Sequence, residues 1–274
     1  MMEHEAMLRL GIFLGVLTLV AVWELVAPRR GRTLSRKTRW LPNLALVALD
    51  TLLVRLIFPV AAVALAALGQ ERGWGLLNQF AWPVWVETLL AVVVLDFIIY
   101  LQHAVFHALP VLWRLHMVHH ADLDVDVTTG LRFHPLEALL SMGIKLAAVH
   151  ASGASPLAVM IFEVLLNGMA LFNHGNVRLP EGFDRVLRWV FVTPDMHRSH
   201  HSHLAPETNM NFGFNLSWWD RILGTYWPKP AEGHEAMEIG LEHLREPEKC
   251  QPFLTILLLP FRSSLGEYTI NRRW

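Results

Sequence analysis

Eight histidines fall into three clusters whose spacing suits metal binding. Two stand four residues apart, and the pattern H-x-x-H-H then occurs twice. On a helix, positions i, i+3 and i+4 share one face, so each cluster presents two or three imidazoles to one point. Neutral imidazole is a common metal ligand, and eight nitrogens exceed what one ion holds. The sequence therefore predicts a site for two metal ions, formed by His103 and His107, by His116, His119 and His120, and by His197, His200 and His201.

Two further histidines lie close to these clusters in the chain. His174 ends a long apolar segment within Asn173-His174-Gly175-Asn176, which makes it the best candidate for a ninth ligand. His134 precedes Pro135, and proline marks a helix start. We expect His134 to act as a metal ligand, as a group that orients a ligand, or as a helix cap.

Several polar residues are candidates for orienting the ligands. Asp96 lies seven residues before His103, two helical turns back on the same side. An acid within a membrane helix needs a partner, and a ligand's second ring nitrogen is one; a solvated carboxylate at the headgroup level is the alternative. The other candidates are Tyr100, Asn176, Glu207 and Asp220, and turn or capping chemistry is the competing explanation for the residues that follow the last cluster.

The composition indicates a membrane protein. Of the 274 residues, 53% are hydrophobic and 17% charged, against about 25% charged in ordinary soluble domains. A bilayer-spanning helix needs about 20 apolar residues. Four segments approach that length, so we expect an all-α integral membrane bundle with a cytoplasmic helical cap that holds the histidines; the segments are residues 8–27, 52–68, 83–100 and 155–172.

The orientation follows from a basic segment at residues 28–39, which contains six Lys and Arg residues and no acid. By the positive-inside rule this segment is cytoplasmic. The third span then returns the first histidines to the same face, and a hairpin of residues 136–150 and 155–172 returns the last ones. The sequence predicts a multi-pass protein, most simply of a bacterial inner membrane, with its first span kept as an anchor.

The predicted regions are a membrane anchor at residues 1–82, a catalytic region at 83–227 and a tail at 228–274. A short apolar stretch at residues 253–260 is expected to be packed or interfacial. The single cysteine, Cys250, rules out an internal disulfide, a thiolate iron–sulfur cluster and an all-cysteine zinc site. The net charge of -1 gives no reason to expect nucleic acid as a partner.

Nitrogen ligands suit iron, copper, zinc or nickel, so the residue types leave the metal open. One interpretation is a redox enzyme that reacts with O2. A second is a zinc-dependent membrane hydrolase or a metal-handling protein. A third, a haem-binding electron carrier, would need paired ligands deep within spanning helices, whereas these clusters lie at predicted helix ends.

From about residue 90 to 227 the sequence resembles the fatty acid hydroxylase superfamily, which contains sterol desaturases and sphingolipid and fatty acid hydroxylases. The motifs that carry this resemblance are Asp96-x3-Tyr100-x2-His103-x3-His107, the two H-x-x-H-H motifs, His134-Pro135-x-Glu137, His174 before Asn176, and the segments 207–213 and 219–226. One departure is Ala104, where the family often has arginine.

The resemblance implies a non-haem di-iron centre that uses O2 and two electrons to oxidise an unactivated C–H bond of a lipid, by hydroxylation rather than desaturation. It implies iron ligands at the eight clustered histidines and His174, with His134 as a further candidate. The sequence has no haem or flavin fingerprint, so the electrons are expected from a separate donor such as a ferredoxin or cytochrome. The basic segment from Arg29 to Arg39 is the expected docking surface for an acidic donor.

Overall fold

Helices make up most of this computed structural model, which describes residues 5–270. Within that range there are no named strands, only isolated β-bridges, and the all-α prediction is confirmed. The acidic start of the chain lies largely outside the described residues. The fourteen α-helices of this range are α1 Glu5–Val26, α2 Arg36–Ile57, α3 Ala62–Arg72, α4 Val84–Ala108, α5 Pro110–His120, α6 Pro135–Ser152, α7 Pro156–His174, α8 Glu181–Leu187, α9 Pro194–His200, α10 Ala205–Thr208, α11 Trp218–Ile222, α12 Gly233–Ala236, α13 Pro247–Cys250 and α14 Phe253–Arg262.

Four helical segments in the described residues are long and apolar enough to cross a membrane. They are Ala6–Val26, Arg36–Gln79, Val84–Ala108 and Pro156–His174. Leucines on their outer surfaces are exposed, among them Leu14, Leu56 and Leu89. Large exposed apolar surface of this kind is typical of contact with lipid, so the prediction of four spans is confirmed.

The second span differs from the expected continuous helix over residues 52–68. α2 ends at Ile57 and α3 begins at Ala62, with Pro59 in the break. Proline has no backbone N–H and disfavours helical geometry in the residue before it, here Phe58. α2 also starts earlier than expected, after Ser35, whose hydroxyl accepts a hydrogen bond from the Thr38 N–H at 3.2 Å. The basic segment is therefore helical only over its last four residues, 36–39.

α7 lies at the centre of the membrane region, where it packs against α1, α3 and α4, while α6 packs against α2 and α3. Small residues at these contacts, among them Ala66, Ala91 and Ala158, are almost completely buried. Small side chains let helix backbones approach closely, which is how membrane helices associate. α6 and α7 form the predicted hairpin, and the turn between them contains Gly153 at φ 72°.

The ends of the membrane helices meet the polar segments at one end of the bundle. The segment after α1 is joined to the segment after α7 by a β-bridge between Pro28 and Val177. At the start of α2, Arg39 is fully buried and pairs with Asp122 at 2.7 Å and Asp126 at 2.5 Å. These contacts form a helical cap over the ends of α1, α2, α4 and α7.

The position of α5 corrects one expectation. From the sequence, Trp113, Leu115, Met117 and Val118 are expected to rest on the membrane surface, but Leu115 is half-buried and the other three are fully buried. These three form one core cluster with Cys250 and Ile256 from the tail. α14 covers this cluster, so the predicted packed segment at residues 253–260 is confirmed.

The basic segment is less exposed than expected. Arg39 is fully buried, Arg29 lies 3.2 Å from Asp195 and 2.9 Å from Glu235, and Arg30 donates to the Met237 carbonyl at 2.6 Å. Arg32 and Lys37 are exposed. The expectation that the whole of this segment is exposed is therefore wrong, because most of its charges are paired within the protein; the docking of an electron donor stays a prediction.

Candidate metal centre

Nine buried histidines converge beneath the cap in two adjoining groups. In each group, one nitrogen per ring lies within 4.8 Å of all the others. All eight clustered histidines and His174 take part, as the sequence predicts. The first group is His103, His107, His116, His120 and His200, and the second is His119, His174, His197 and His201.

The first group is formed where α4 turns into α5. His103 and His107 occupy the last turns of α4, and Pro110 starts α5 after a short break. The turn brings His103 Nε2 to 3.1 Å from His116 Nε2. His200, from α9, completes the group with its ring centre 4.6 Å from those of His103 and His120.

The second group joins α5, α7 and α9. His174 is the last residue of α7, and its Nε2 lies 3.1 Å from His119 Nε2 and 3.0 Å from His197 Nε2. α9 starts at Pro194, where the Thr193 hydroxyl accepts from the Met196 N–H. The two groups share α5 and α9, so they adjoin each other.

The Asn209–Gly213 loop orients three rings of the first group. Its Phe212 carbonyl accepts from His103 Nδ1 at 2.9 Å and its Met210 carbonyl accepts from His200 Nδ1 at 2.7 Å. The Asn209 side-chain oxygen lies 3.2 Å from His107 Nδ1. Because a carbonyl oxygen only accepts, it fixes the proton on Nδ1 and leaves the Nε2 lone pair for a metal.

The shape of this loop depends on Asp220 and Asn211. Asp220 accepts from the backbone N–H groups of Phe212 and Gly213 at 2.8 and 2.9 Å. Gly213 is required there, because a Cβ would lie 2.6 Å from Asp220 Oδ2. Asn211 has φ 55° and its side chain bonds to Met196 and Trp227. Asp220 thus acts on His103 through Phe212.

Two further groups orient histidine rings, and the sequence predicts no such role for either. Glu137 Oε1 accepts from His116 Nδ1 at 2.7 Å, and the Arg132 carbonyl accepts from His119 Nδ1 at 3.2 Å. The Glu137 contact was accessible from sequence, since Glu137 belongs to the His134-Pro135-x-Glu137 motif. The contact of the Arg132 carbonyl could not be predicted from sequence, because every residue type supplies a backbone carbonyl.

The donor set fits metal ions. His103, His119 and His174 each direct Nδ1 at a carbonyl oxygen, so their Nε2 atoms carry lone pairs. These lone pairs face other imidazole nitrogens at 3.0–3.1 Å. Lone pairs at that distance repel unless a cation lies between them. Further buried ring nitrogens without a hydrogen-bond partner are those of His107, His120, His197, His200 and His201.

Burial keeps the cap histidines neutral. It lowers the pKa of His116 to about 3. Burial, together with the neighbouring imidazoles, also lowers the pKa values of His120, His200 and His201 well below the ordinary value. Neutral rings are the form that binds metal.

Three predicted site residues have other contacts. His134 caps α6, accepting from the Leu136 N–H at 3.2 Å, and its Nε2 lies 3.2 Å from the Leu257 carbonyl; it is in neither group. Asp96 contacts backbone N–H groups at residues 215–216 and the Trp219 indole at 2.8 Å, not a histidine. The Tyr100 hydroxyl lies 2.8 Å from Thr225 Oγ1. Asp96 and Tyr100 therefore attach α4 to the segment that follows the loop.

Asn176 and Glu207 also bond away from the rings. Asn176 exchanges hydrogen bonds with the backbone of Arg30 at 2.9 and 3.1 Å. Glu207 accepts from the Ala231 N–H. Their contacts stabilise the cap, and they replace the ligand-orienting contacts expected for these two residues.

A cavity of about 260 Å³ lies beside the two groups, between α1, α2, α4, α6 and α7. His103, His116, His119 and His197 are part of its lining. Much of the remaining wall is apolar, including Phe13, Val47, Ile99, Phe106 and Leu166. The arrangement can place a hydrocarbon chain from the bilayer next to the imidazoles.

Comparison with known proteins finds a matching family and several relatives. The fatty acid hydroxylase family model matches residues 88–225. The chain is 32% identical over 181 residues to the ornithine lipid hydroxylase of Rhizobium tropici, covering 66% of this chain and 52% of the relative. It is 27% identical over 167 residues to the alkylglycerol monooxygenase of Xenopus tropicalis, covering 59% and 33%.

A third relative is sphinganine C4-monooxygenase 1 of Arabidopsis thaliana, 28% identical over 181 residues that cover 64% of this chain and 68% of the relative. The chain thus spans about half of the first of these relatives and a third of the second. No solved structure matches. The family match covers half of the chain and includes all nine converging histidines, and the protein therefore belongs to the fatty acid hydroxylase family.

Proposed function

We propose that the protein hydroxylates a membrane lipid with O2, using two iron ions held by the nine histidines. The observation that carries this proposal is that imidazoles of both groups line a largely apolar cavity between the membrane helices. The relatives support it, because they are named as hydroxylases or monooxygenases of ornithine lipid, alkylglycerol and sphinganine. Each of these lipids has a polar headgroup and a hydrocarbon chain, and we expect a substrate of that kind.

Five imidazoles would hold one ion and four the other. Iron bound there supplies the redox chemistry by which O2, two electrons and two protons convert a C–H bond into C–OH and water. The protein's part is to fix the rings: the Phe212, Met210 and Arg132 carbonyls and Glu137 hold protons on Nδ1. The apolar wall excludes water from the reacting carbon and aligns the chain beside the rings.

The electrons come from a separate protein such as a ferredoxin or a cytochrome, and the cap faces the cytoplasm of a bacterial inner membrane. The exposed cations Arg32 and Lys37 next to the cap favour this orientation. The relative from Rhizobium tropici favours the bacterial membrane.

The test uses the protein purified from the membrane after expression in iron-supplemented cells. We expect about two iron atoms per chain and, with an electron donor, O2 consumption coupled to lipid that is heavier by one oxygen atom. Labelled O2 should place its isotope in the product. Zinc in place of iron, with no O2 consumption, would favour the hydrolase or metal-handling alternative and overturn the proposal.

A matched pair of variants separates the site from histidine content in general. His200→Ala removes a ring from the first group and should lose iron and turnover. His150→Ala removes an exposed ring that contacts Trp74, outside both groups, and should keep both.

A further inference from the structure

The wall of the cavity beside the histidines contains polar side chains besides the imidazoles, and Ser141 and Asn167 are two of them. Asp50 of α2, Gln102 of α4 and Glu137 of α6 all line it. Asp50 and Gln102 belong to segments long and apolar enough to span the membrane. Polar groups in such segments are costly and usually mark a function. The metal centre explains one oxygen of Glu137 and neither of the other two residues.

Each of the three residues has a buried acceptor oxygen without a partner. The atoms are Asp50 Oδ1, Gln102 Oε1 and Glu137 Oε2. Asp50 is 8% exposed and Glu137 is 4% exposed. The amide nitrogen of the same Gln102 side chain donates to Ser141 Oγ at 2.8 Å. Buried acceptors without donors destabilise a protein, so a ligand that brings donors would be bound here.

The charges of the wall restrict that ligand further. Two of the three residues are acids, and the residues that line the cavity include no lysine or arginine. No lysine or arginine of the wall would pair with an anionic headgroup, and the positive charge nearby is that of the metal ions proposed at the histidines. A hydroxyl or an amide N–H brings one donor to these oxygens, and an ammonium group brings up to three.

We infer that the cavity selects lipids whose polar group donates hydrogen bonds to Asp50, Gln102 and Glu137 next to the carbon that is oxidised. This inference rests on the proposed lipid oxidation and adds the substrate class. Gln102 directly precedes His103, and Glu137 Oε1 bonds to His116. A headgroup held by these residues therefore leaves the adjoining chain carbons beside the rings that line the cavity.

The experiment compares three probes with the same sixteen-carbon chain, namely hexadecan-1-ol, hexadecylamine and 1-methoxyhexadecane. Binding to the metal-loaded protein in nanodiscs is measured by native mass spectrometry, without turnover. We expect the alcohol, the amine or both to bind about tenfold more tightly than the ether, as a hydrogen bond to a charged or buried acceptor provides. Tighter binding of the amine identifies an ammonium headgroup, and tighter binding of the alcohol identifies a hydroxyl headgroup.

Asp50→Leu should reduce the preference over the ether to about twofold or less, with iron content unchanged. Thr51→Val is the matched control, because the Thr51 hydroxyl is exposed on the same helix and bonds to its own Val47 carbonyl; its preference should stay as in the wild type. If Asp50→Leu does not fold, Gln102→Met replaces it.

Equal binding of all three probes to the wild type would overturn the inference, even where lipid is hydroxylated. A preference that survives Asp50→Leu and Gln102→Met would overturn it as well. Because binding is measured without O2, a failure of the oxidase proposal leaves these outcomes readable and is detected separately by the iron and isotope measurements.

Discussion

The second nitrogen of each histidine ring determines whether the ring can bind metal. In the first group, His103 and His200 are held by backbone carbonyls, while His107 and His116 are held by the side chains of Asn209 and Glu137. Substitution cannot remove a backbone carbonyl. Asn209 and Glu137 are therefore the positions at which ring orientation can be tested directly.

Replacing Glu137 by leucine should lower iron affinity or turnover by about 10–100-fold, because His116 loses the acceptor that fixes its tautomer. Glu137→Gln keeps a carbonyl oxygen and should restore part of the loss. Iron content and lipid turnover are measured together with melting temperature. Glu181→Leu, at an exposed position on α8, is the control, and equal losses in all three variants would contradict the assigned role.

For individual residues, the sequence predicts the candidate metal ligands better than the groups that orient them. The spacing of His103, His107 and the two H-x-x-H-H motifs is sufficient, because helix geometry turns i, i+3 and i+4 to one point. The acceptors at Phe212 and Met210 could not be predicted, since any residue type supplies a carbonyl oxygen. Asp96 was expected to contact a ring because it lies two helical turns before His103 on α4. Its carboxylate contacts the 215–219 segment instead.

Among the elements, the junction between α2 and the cap depends most on a single side chain. Arg39 lies outside the part of the chain that matches the family, yet it is fully buried and bonds to Asp122, Asp126 and Thr129. Asp122 follows directly after α5, which carries three of the histidines. The start of α2 thus holds the segment that positions α5.

Arg39→Met should destabilise the protein by about 3–5 kcal/mol, because it leaves buried carboxylates without their cation. Lys37→Met changes an exposed residue on the same helical turn and should have almost no effect. The melting temperatures of the iron-loaded proteins in detergent measure the difference. Equal melting temperatures of the two variants would show that the Arg39 pairs contribute little.

The helices themselves were largely predictable, because runs of apolar residues of membrane-spanning length leave few alternatives. The break at Phe58–Ala61 was missed although Pro59 signals it, since hydrophobicity alone treats proline as neutral. The burial of Trp113, Met117 and Val118 was also missed. α5 is amphipathic enough to lie on a membrane, and only the tail that covers it shows otherwise. The division at residues 82 and 227 stays a prediction.

For the whole molecule, the neutral histidines make stability depend on pH. The pKa of His116 falls from about 6.5 in an unfolded chain to about 3 in the fold. The unfolded state therefore binds more protons below pH 6.5, and stability is lost as the pH falls through that value towards 3. We expect the melting temperature to drop by ~10 °C between pH 7.5 and 5.5; an unchanged value would count against buried neutral rings.

If a separate protein delivers the electrons, as proposed, we expect it to dock at the surface of the cap. Arg32 and Lys37 are the exposed cations of the basic segment, so an acidic donor should meet these two. Arg32→Glu combined with Lys37→Glu should slow reduction by a ferredoxin about tenfold at low salt, and much less at high salt. Iron content should not change. The rate is followed by stopped-flow spectroscopy, and an unaffected rate would place donor docking elsewhere.

The wide separation of the ligands along the chain has a consequence for how the protein is made. His103 leaves the ribosome well before His201, and the loop that orients His103 follows later still, at residues 209–213. The complete set of nine rings therefore exists only after the last span and the segment that follows it have been made. The metal centre proposed here would thus be completed late in synthesis, and a cell short of iron would accumulate inserted protein without its metal.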